Sequence, residues 1–483
     1  MILYKEDKEG PPTMIETTLY FSEAIDFSGH PLSNAKSKKR VQYYTALSLV
    51  SRYIADSLKN NVMDGNTNSG EKDGEQIVVL GTSISLTEFK MYLEQRLQQY
   101  SDFLCEGKEN FIHDGLVDKK EVIHAVSGNV SLPWKRKTRF WLLADLALIL
   151  LDDGLIAKAS SLIKECLGNG AKTSIDDFLN VLLDNQNGAE LFPFADNLIK
   201  QYHENLLFSK KSVKKLVVTA NMSAGKSTLI NALVGKSVAR TSQEVCTGNV
   251  CYISNKAFED NCISLATPEL SLCATQEKLN DFSWQGSIAI AAYFTGTEAI
   301  NNSWCIIDTP GVNAALYKNH SKIARQVIKK QSYDRLLYVI SPTNLGTDAE
   351  IRHLKWVSEN VDQNKVVFIL NKLDDYRSES DNISESMKAL RNDLTKLGFT
   401  APVICPISAY FGYLLKLKLT HQPFTEDEQD EYDLLSKKFS KQQFDLSVYY
   451  DNSNENDSDT TEIKLCKKSG LYGLEKIIYG GTV

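Results

Sequence analysis

The stretch that most constrains the fold of this chain covers residues 214–231 and reads KKLVVTANMSAGKSTLIN. Its apolar run at 216–218 predicts a buried parallel strand, and the residues after Gly225 have the spacing of an amphipathic helix. Small and polar residues separate these two segments. Successive backbone N–H groups at the start of such a helix can surround a phosphate group. The stretch therefore predicts a strand, a phosphate-binding loop and a helix.

The loop supplies side chains as well as amides for a nucleotide. We expect the Lys226 ammonium to reach the β- and γ-phosphate oxygens and the Ser227 hydroxyl to hold Mg²⁺. Ala220 replaces the first glycine of G-x-x-x-x-G-K-[ST], which requires a negative φ at this position. A Gly-Lys-Ser sequence can also begin a helix by chance, so this loop alone does not predict a nucleotide site. The residues expected to contact the nucleotide here are Ala224, Gly225, Lys226, Ser227 and Thr228.

A second apolar run, at 304–307, ends in the motif D-x-x-G formed by Asp308 and Gly311. The Asp308 carboxylate can orient Mg²⁺ or one of its water ligands, because hard cations prefer oxygen ligands. The Gly311 N–H can donate to a γ-phosphate. This motif therefore predicts the end of the site that holds the third phosphate.

A third apolar run, at 366–370, ends in Asn371, Lys372 and, after one leucine, Asp374. A carboxylate at this place can accept hydrogen bonds from the N1–H and the 2-amino group of guanine. Adenine lacks this pair of donors and would leave a buried charge unsatisfied, so we expect discrimination of several orders of magnitude.

A fourth apolar run, at 403–407, leads into Ser408 and Ala409, where a backbone N–H is expected to meet the guanine O6. Each of the four motifs follows a predicted strand, and carboxyl ends of parallel strands meet at one edge of a sheet. Their order along the chain is that of GTP-binding proteins. The sequence therefore predicts a guanine-nucleotide site.

Composition limits the remaining possibilities. A chain of 483 residues and 54.1 kDa is too long for one core and predicts two or three domains. Its 42% hydrophobic and 24% charged residues are typical of an ordinary soluble protein. The net charge of -7 argues against nucleic acid as the main partner, although a local basic face stays possible.

The nine cysteines include no C-x-x-C pair, and some lie in apolar runs. We interpret them as reduced thiols in a cytoplasmic protein. Cys246 and Cys251 are five residues apart, but no histidine cluster accompanies them, so zinc is the weaker alternative. The first residues do not have the pattern of a signal peptide.

Residues 1–208 are expected to form an all-α domain with a disordered loop near 60–76. Its most apolar run, at 140–151, is interrupted by Asp145 and is shorter than the roughly 20 residues that span a bilayer, so we predict a buried helix. Basic clusters at 36–40 and 135–139 leave peripheral membrane contact open, although solvated helix ends and a helix entering the core are the favoured interpretations. Helices are expected at 37–59, 86–103, 134–167, 175–183 and 194–208.

Residues 209–483 are expected to form an α/β domain with a doubly wound, mostly parallel sheet, because predicted strands and helices alternate from 213 to 408. An acidic, partly disordered insertion is expected at 420–462, followed by a closing helix at 471–479.

The polar segment at 235–248 is the expected first switch loop, and a second switch is expected at 312–319. We predict that Thr247 completes the Mg²⁺ ligands when a third phosphate is present, with Thr241 and Ser242 as alternatives. Arg240 is either a charge for the transition state or a solvent-facing loop residue.

The run NMSAGKSTLINALVGKSVARTSQEVCTGNV resembles the phosphate loop and first switch of the dynamin superfamily, particularly its bacterial members, and the resemblance extends over about 214–479. It implies that Ser223 lies beside the bridging oxygen and the attacking water. Met222 stands where eukaryotic dynamins carry a catalytic glutamine, and Val312 stands where Ras-like enzymes carry theirs. The resemblance also implies that helices 194–208 and 471–479 form a neck that transmits nucleotide state. Membrane-wrapping polymers are not implied, because the helical mass precedes the domain.

Three hypotheses follow. The first is a Mg²⁺-dependent GTPase that dimerises with nucleotide and uses Ser223, Lys226, Thr247 and Gly311 in catalysis. The second is a slowly hydrolysing GTP-dependent switch that presents its N-terminal helices to a protein partner. The third is a ribosome- or RNA-associated assembly GTPase, for which the acidic composition gives little support.

Overall fold

A computed structural model describes residues 22–62, 76–79, 82–107, 116–127, 136–167, 169–184, 188–240, 250–267, 269–280, 288–295, 302–312, 318–377, 381–450 and 459–480. Most of the loop predicted at 60–76 and most of both predicted switches lie outside these residues. The described residues divide into two compact units. One comprises 22–210 with Ala257–Cys273, and the other comprises Lys211–Lys256 with 274–480.

The N-terminal unit is mainly helical. Its elements up to residue 209 are α1 (Ser37–Val62), β1 (Gln76–Val79), β2 (Thr82–Ser85), α2 (Leu86–Cys105), α3 (Lys119–Ser127), α4 (Arg136–Leu150), α5 (Asp153–Glu165), α6 (Asn169–Asp184), α7 (Gly188–Leu191) and α8 (Asp196–Ser209). The helical pattern predicted at 134–167 is therefore two helices. Leu151 has a φ of 54°, and the Asp152 side chain accepts from the Leu155 N–H at 2.9 Å, which begins a new helix.

The centre of the helical unit holds a buried carboxylate, Asp145 of α4. The Tyr43 hydroxyl donates to it, and the Tyr100 hydroxyl donates at 3.0 Å. His30 Nδ1 accepts from the Leu32 N–H at 3.1 Å, so its Nε2 carries the proton that Asp145 accepts at 3.1 Å. Burial raises the pKa of both tyrosines and keeps them protonated. Three donors thus satisfy the one acidic residue of α4.

In the described part of the chain, no helix is both long enough and apolar enough to cross a bilayer. The apolar run around Asp145 lies in the core of the helical unit, as predicted from its length.

The second unit alternates strands and helices. The elements from residue 213 onward are β3 (Val213–Ala220), α9 (Lys226–Val234), β4 (Cys251–Asn255), β5 (Ser264–Ala266), β6 (Leu270–Ser271), α10 (Gln276–Asn280), β7 (Ile288–Ala292), β8 (Ser303–Asp308), α11 (Lys318–Lys330), β9 (Arg335–Ile340), α12 (Asp348–Asn360), β10 (Val366–Leu370), α13 (Ile383–Lys396), β11 (Val403–Pro406), α14 (Ala409–Leu419), α15 (Glu426–Phe439), α16 (Thr461–Lys468) and α17 (Leu471–Tyr479).

Seven strands of this unit form one sheet in the order β11-β10-β9-β3-β8-β4-β7. Only β4 and β8 pair antiparallel among these neighbours, and the other five pairs are parallel. The predicted α/β fold with a mostly parallel sheet is confirmed. Because β3, β8, β9, β10 and β11 run in the same direction, their carboxyl ends share one edge. All four predicted motifs follow strands that end there.

Residues 257–273 follow β4 in sequence but belong to the helical unit. Strands β5 and β6 pair antiparallel there, and a disulfide joins Cys262 to Cys273. The prediction of reduced thiols is therefore wrong for these two cysteines. Their separation of 11 residues resembles no common motif, and it is the hairpin of β5 and β6 that brings them together. Cys246 lies outside the described residues. The free cysteines of the described residues are Cys105, Cys166, Cys251, Cys305, Cys405 and Cys466.

The insertion predicted at 420–462 contains the regular helix α15. The insertion is predicted to be acidic and partly disordered. Helix α15 forms its acidic part, where three acidic residues in the first turn are stabilised by the positive end of the helix. Residues 451–458, which make up most of the polar sequence DNSNENDSD at 451–459, lie outside the described residues.

Candidate functional site

The phosphate loop connects β3 to α9. Ala220 is fully buried at the end of β3 and is not among the described residues with positive φ, which meets the condition set for an alanine at this place. Ser223 has a φ of 61° and Gly225 a φ of 87°. A left-handed serine is uncommon and stores strain, as residues at functional loops often do. Gly225 is required sterically, since an added Cβ would lie 2.3 Å from Asn371 Nδ2.

Asn371, at the end of β10, links the phosphate loop to the loop after β11. Its Nδ2 donates to the Ala224 carbonyl at 3.0 Å, and its Oδ1 accepts from the Ala409 N–H at 3.0 Å. The side chain is buried, so both hydrogen bonds are protected from water. One amide group therefore fixes the relative positions of two predicted nucleotide-binding loops.

Asp374 lies in a short 3₁₀ turn, Leu373–Asp375, that follows Lys372 in the left-handed conformation at a φ of 63°. The Ser408 hydroxyl donates to Asp374 Oδ1 at 2.6 Å. Burial raises the pKa of the Asp374 carboxyl, and the Ser408 hydrogen bond opposes that rise. A half-buried carboxylate that a hydrogen bond holds in place is suited to accept from a base with two adjacent N–H donors.

Both backbone N–H groups at the start of α14 have protein partners. The Ala409 N–H donates to Asn371, and the Ser408 N–H donates to the Ser469 carbonyl at 2.9 Å. Contact of either group with a guanine O6 would therefore require exchange of a protein hydrogen bond.

The end of β8 brings Asp308 to the phosphate loop. The Lys226 ammonium contacts Asp308 Oδ1, and both side chains are mostly buried. The Thr309 hydroxyl donates to the Val218 carbonyl at 2.8 Å, which fixes this segment against β3. The structure thus brings the lysine of the first motif and the carboxylate of the second together.

Gly311 lies against Met222 of the phosphate loop. A Cβ on Gly311 would lie 3.3 Å from Met222 Cγ, and the following Val312 N–H donates to the Ala220 carbonyl at 3.2 Å. Met222 is 37% exposed. Neither the Met222 nor the Val312 side chain has an amide group, so neither can orient a water as a glutamine does.

The oxygen donors predicted for magnesium are only partly described. Ser227 lies in the first turn of α9, next to Lys226, and Asp308 lies at the end of β8. A hydroxyl and a carboxylate are hard oxygen ligands of the kind that Mg²⁺ prefers, so these residues fit the ion. Thr247 and the alternatives Thr241 and Ser242 lie outside the described residues.

A buried polar network under the phosphate loop was not predicted. Glu350 of α12 accepts hydrogen bonds from Asn221 Nδ2 and from the Tyr338 hydroxyl, the latter at 2.6 Å. Burial raises the pKa of Glu350 and lowers that of the nearby His353 to about 3. Acidic residues at 348–350 are typical of the start of a helix, but nothing in the sequence indicates that the Glu350 side chain is buried. Glu350 therefore anchors the first residue after β3.

Comparison with known proteins agrees with these motifs. The model of the dynamin family matches residues 216–373. The chain is 28% identical over 203 residues to the Arabidopsis thaliana protein named "probable transmembrane GTPase FZO-like, chloroplastic", covering 42% of this chain and 20% of that protein. It is 25% identical over 210 residues to dynamin-like protein A of Bacillus subtilis, covering 40% of this chain and 17% of that protein. The matched region is thus a fifth or less of either relative.

Among solved structures, Toc33 from Arabidopsis thaliana in complex with Mg²⁺ and GMPPNP is 15% identical with a TM-score of 0.28, covering 47% of this chain and 82% of that chain. The family match spans the phosphate loop, the D-x-x-G motif and the start of the base-recognition loop. Residues 216–373 therefore match the GTPase domain of the dynamin family.

Proposed function

We propose that the chain binds GTP with Mg²⁺ and hydrolyses it to GDP and phosphate. The observation that supports this most strongly is the pair of hydrogen bonds through which Asn371 joins Ala224 to Ala409. These bonds hold a phosphate loop and a base loop in a fixed arrangement, beside a carboxylate suited to guanine. A site with fixed positions can lower the barrier to phosphoryl transfer mainly by orientation and charge.

Each residue then has a role in binding or hydrolysis. Lys226 and the amides of residues 224–228 would neutralise the phosphate oxygens, and Asp374 would accept from guanine. Ser227 and Asp308, with Thr247, would hold Mg²⁺, which supplies positive charge to the phosphates when bound. Ser223 would stabilise charge that develops near the bridging oxygen, and Gly311 would donate to the γ-phosphate.

We further propose that self-association through the GTPase domain completes the site. Met222 and Val312 occupy the places of catalytic glutamines and cannot orient water, so a second copy would supply the missing contacts. Gel filtration of the full chain with GDP and with a GTP transition-state mimic tests this. We expect a dimer only with the mimic, and equal elution volumes would contradict it.

Met222 also favours a second candidate, a GTP-dependent switch that hydrolyses very slowly and binds a protein partner. Turnover per molecule, measured over a range of protein concentrations, separates the two. A rate that rises with concentration supports the dimer-assisted enzyme. A negligible rate at every concentration, with GTP bound, supports the switch.

A further inference from the structure

Helix α15 begins with a pair of reciprocal hydrogen bonds. The Glu428 N–H donates to Thr425 Oγ1 at 3.2 Å, and the Thr425 N–H donates to a Glu428 carboxylate oxygen at 2.9 Å. Such a capping box satisfies two backbone donors that the first turn leaves open. The helix in the predicted insertion therefore has a defined start. The position of its last turn follows from this start and from the length of the helix.

That last turn packs against α14, which directly follows Ser408. Phe439 is fully buried, and its ring stacks on Phe411 with centroids 4.9 Å apart. Tyr432, two turns earlier, lies 6.4 Å from the same Phe411 ring. Helix α15 is therefore fixed to the helix that begins at the base loop.

Lys438 precedes Phe439 and extends to the turn that carries Asp374. Its ammonium donates to the backbone carbonyl of Asp374 and to that of Tyr376, and it lies 4.7 Å from the centre of the Phe444 ring. Hydrogen bonds from a charged donor are stronger than neutral ones, and cation–π contact adds to them. One ammonium thus binds two backbone carbonyls, that of Asp374 and that of the residue that follows its 3₁₀ turn.

Two separate groups therefore hold Asp374. Lys438 fixes the backbone of the turn, and Ser408 fixes the carboxylate through the hydrogen bond at 2.6 Å. The turn needs such support because it follows Lys372, a non-glycine residue in the left-handed conformation.

We propose that Lys438 is a positioning residue for guanine recognition, so that the helix of the insertion sets the affinity and base selectivity of the nucleotide site. The proposal rests on the proposed function, since it concerns the same site. Lys438 does not need to touch the base. It acts by keeping the Asp374 carboxylate where the guanine N1–H and 2-amino group can donate to it.

The test compares Lys438→Met with Lys437→Met in the full chain, by calorimetry with GDP and with inosine diphosphate in the presence of Mg²⁺. Lys437 is the adjacent, exposed residue of the same helix and serves as the matched control. Inosine lacks the 2-amino group. The dissociation constant of inosine diphosphate divided by that of GDP therefore measures how strongly Asp374 selects guanine. We expect K438M to weaken GDP binding by about tenfold or more and to reduce this ratio, while K437M changes neither.

Equal GDP affinity and an equal ratio in K438M and K437M would overturn the proposal. An equal loss for both nucleotides, which leaves the ratio unchanged, would also overturn it, because that result indicates a structural role alone. Absence of GDP binding by the wild-type chain would contradict the proposed function, and this proposal with it. If K438M does not fold, Lys438→Gln is measured instead, and the same decrease in the ratio of dissociation constants is expected. Lys438→Arg keeps the charge, so its ratio is expected to lie between that of the Gln variant and that of the wild type.

Discussion

The hydrogen bonds of Asn371 allow a sharp prediction, because aspartate has the same shape and differs in one donor. In Asn371→Asp, Oδ1 can still accept from the Ala409 N–H. The other oxygen, however, replaces an N–H₂ group that lies 3.0 Å from the Ala224 carbonyl oxygen. Two acceptors then face each other in a buried place, so we expect the isosteric substitution to loosen the phosphate loop.

The magnitude follows from the two partners. Asn371→Ala leaves the Ala224 carbonyl and the Ala409 N–H without hydrogen bonds, at about 1–3 kcal/mol each and about 2–6 kcal/mol in total. Because both groups belong to nucleotide-binding loops, we expect GDP affinity to fall at least about tenfold. Near neutral pH, N371D should lose at least as much GDP affinity, since its carboxylate oxygen repels the Ala224 carbonyl oxygen.

The two variants should differ in their response to pH. The buried carboxyl of N371D has a raised pKa, and its protonated form regains a donor for Ala224. GDP binding by N371D should therefore improve as pH falls, by up to roughly tenfold for each pH unit above the raised pKa. N371A should show no such recovery, because alanine does not titrate.

Calorimetry with GDP at two pH values measures this, with Asn364→Asp as a control that adds the same charge at an exposed residue of the same unit. Wild-type affinity in N371D near neutral pH would refute the reasoning. So would a pH response in N371D that matches that of N371A.

Three further outcomes are expected. Lys416→Met should lower the free energy of unfolding by about 3–5 kcal/mol, because it leaves the buried Glu475 carboxylate without its partner at 2.5 Å, and combination with Glu475→Leu should recover most of this in thermal melts; no recovery would contradict the pairing. Burial lowers the pKa of His353 to about 3, so the stability present above about pH 6.5 should be lost on acidification towards pH 3, at up to roughly 1.4 kcal/mol per pH unit. His353→Leu should flatten that acid limb in urea titrations, and an unchanged limb would assign the loss to other groups. Dithiothreitol should lower the melting temperature of the wild-type chain but not that of a variant with serine at Cys262 and Cys273, whereas equal shifts would mean that the disulfide contributes nothing.

The sequence was sufficient to predict the phosphate loop, Asp308, Asn371 and Asp374 as parts of one site. Each follows a short apolar strand, and parallel strands place such residues at a common edge. The catalytic and binding roles of these residues stay predictions, and Thr247 lies outside the described residues.

Residues whose partners lie far away along the chain could not be predicted. Glu350 is 129 residues from Asn221, and an acidic residue in a first helical turn is already explained by the helix dipole. Lys438 is 64 residues from Asp374 and follows an acidic segment in which no sequence pattern indicates a contact with the base loop. In both cases, only the packing of helices on the sheet shows which polar groups meet.

The most direct test of the central claim is calorimetric titration of the full chain with GTP and with ATP in the presence of Mg²⁺. Recognition of guanine by Asp374 predicts that GTP binds about 10³-fold or more tightly than ATP. Equal affinities for the two nucleotides, or binding of neither, would contradict the assignment of this site.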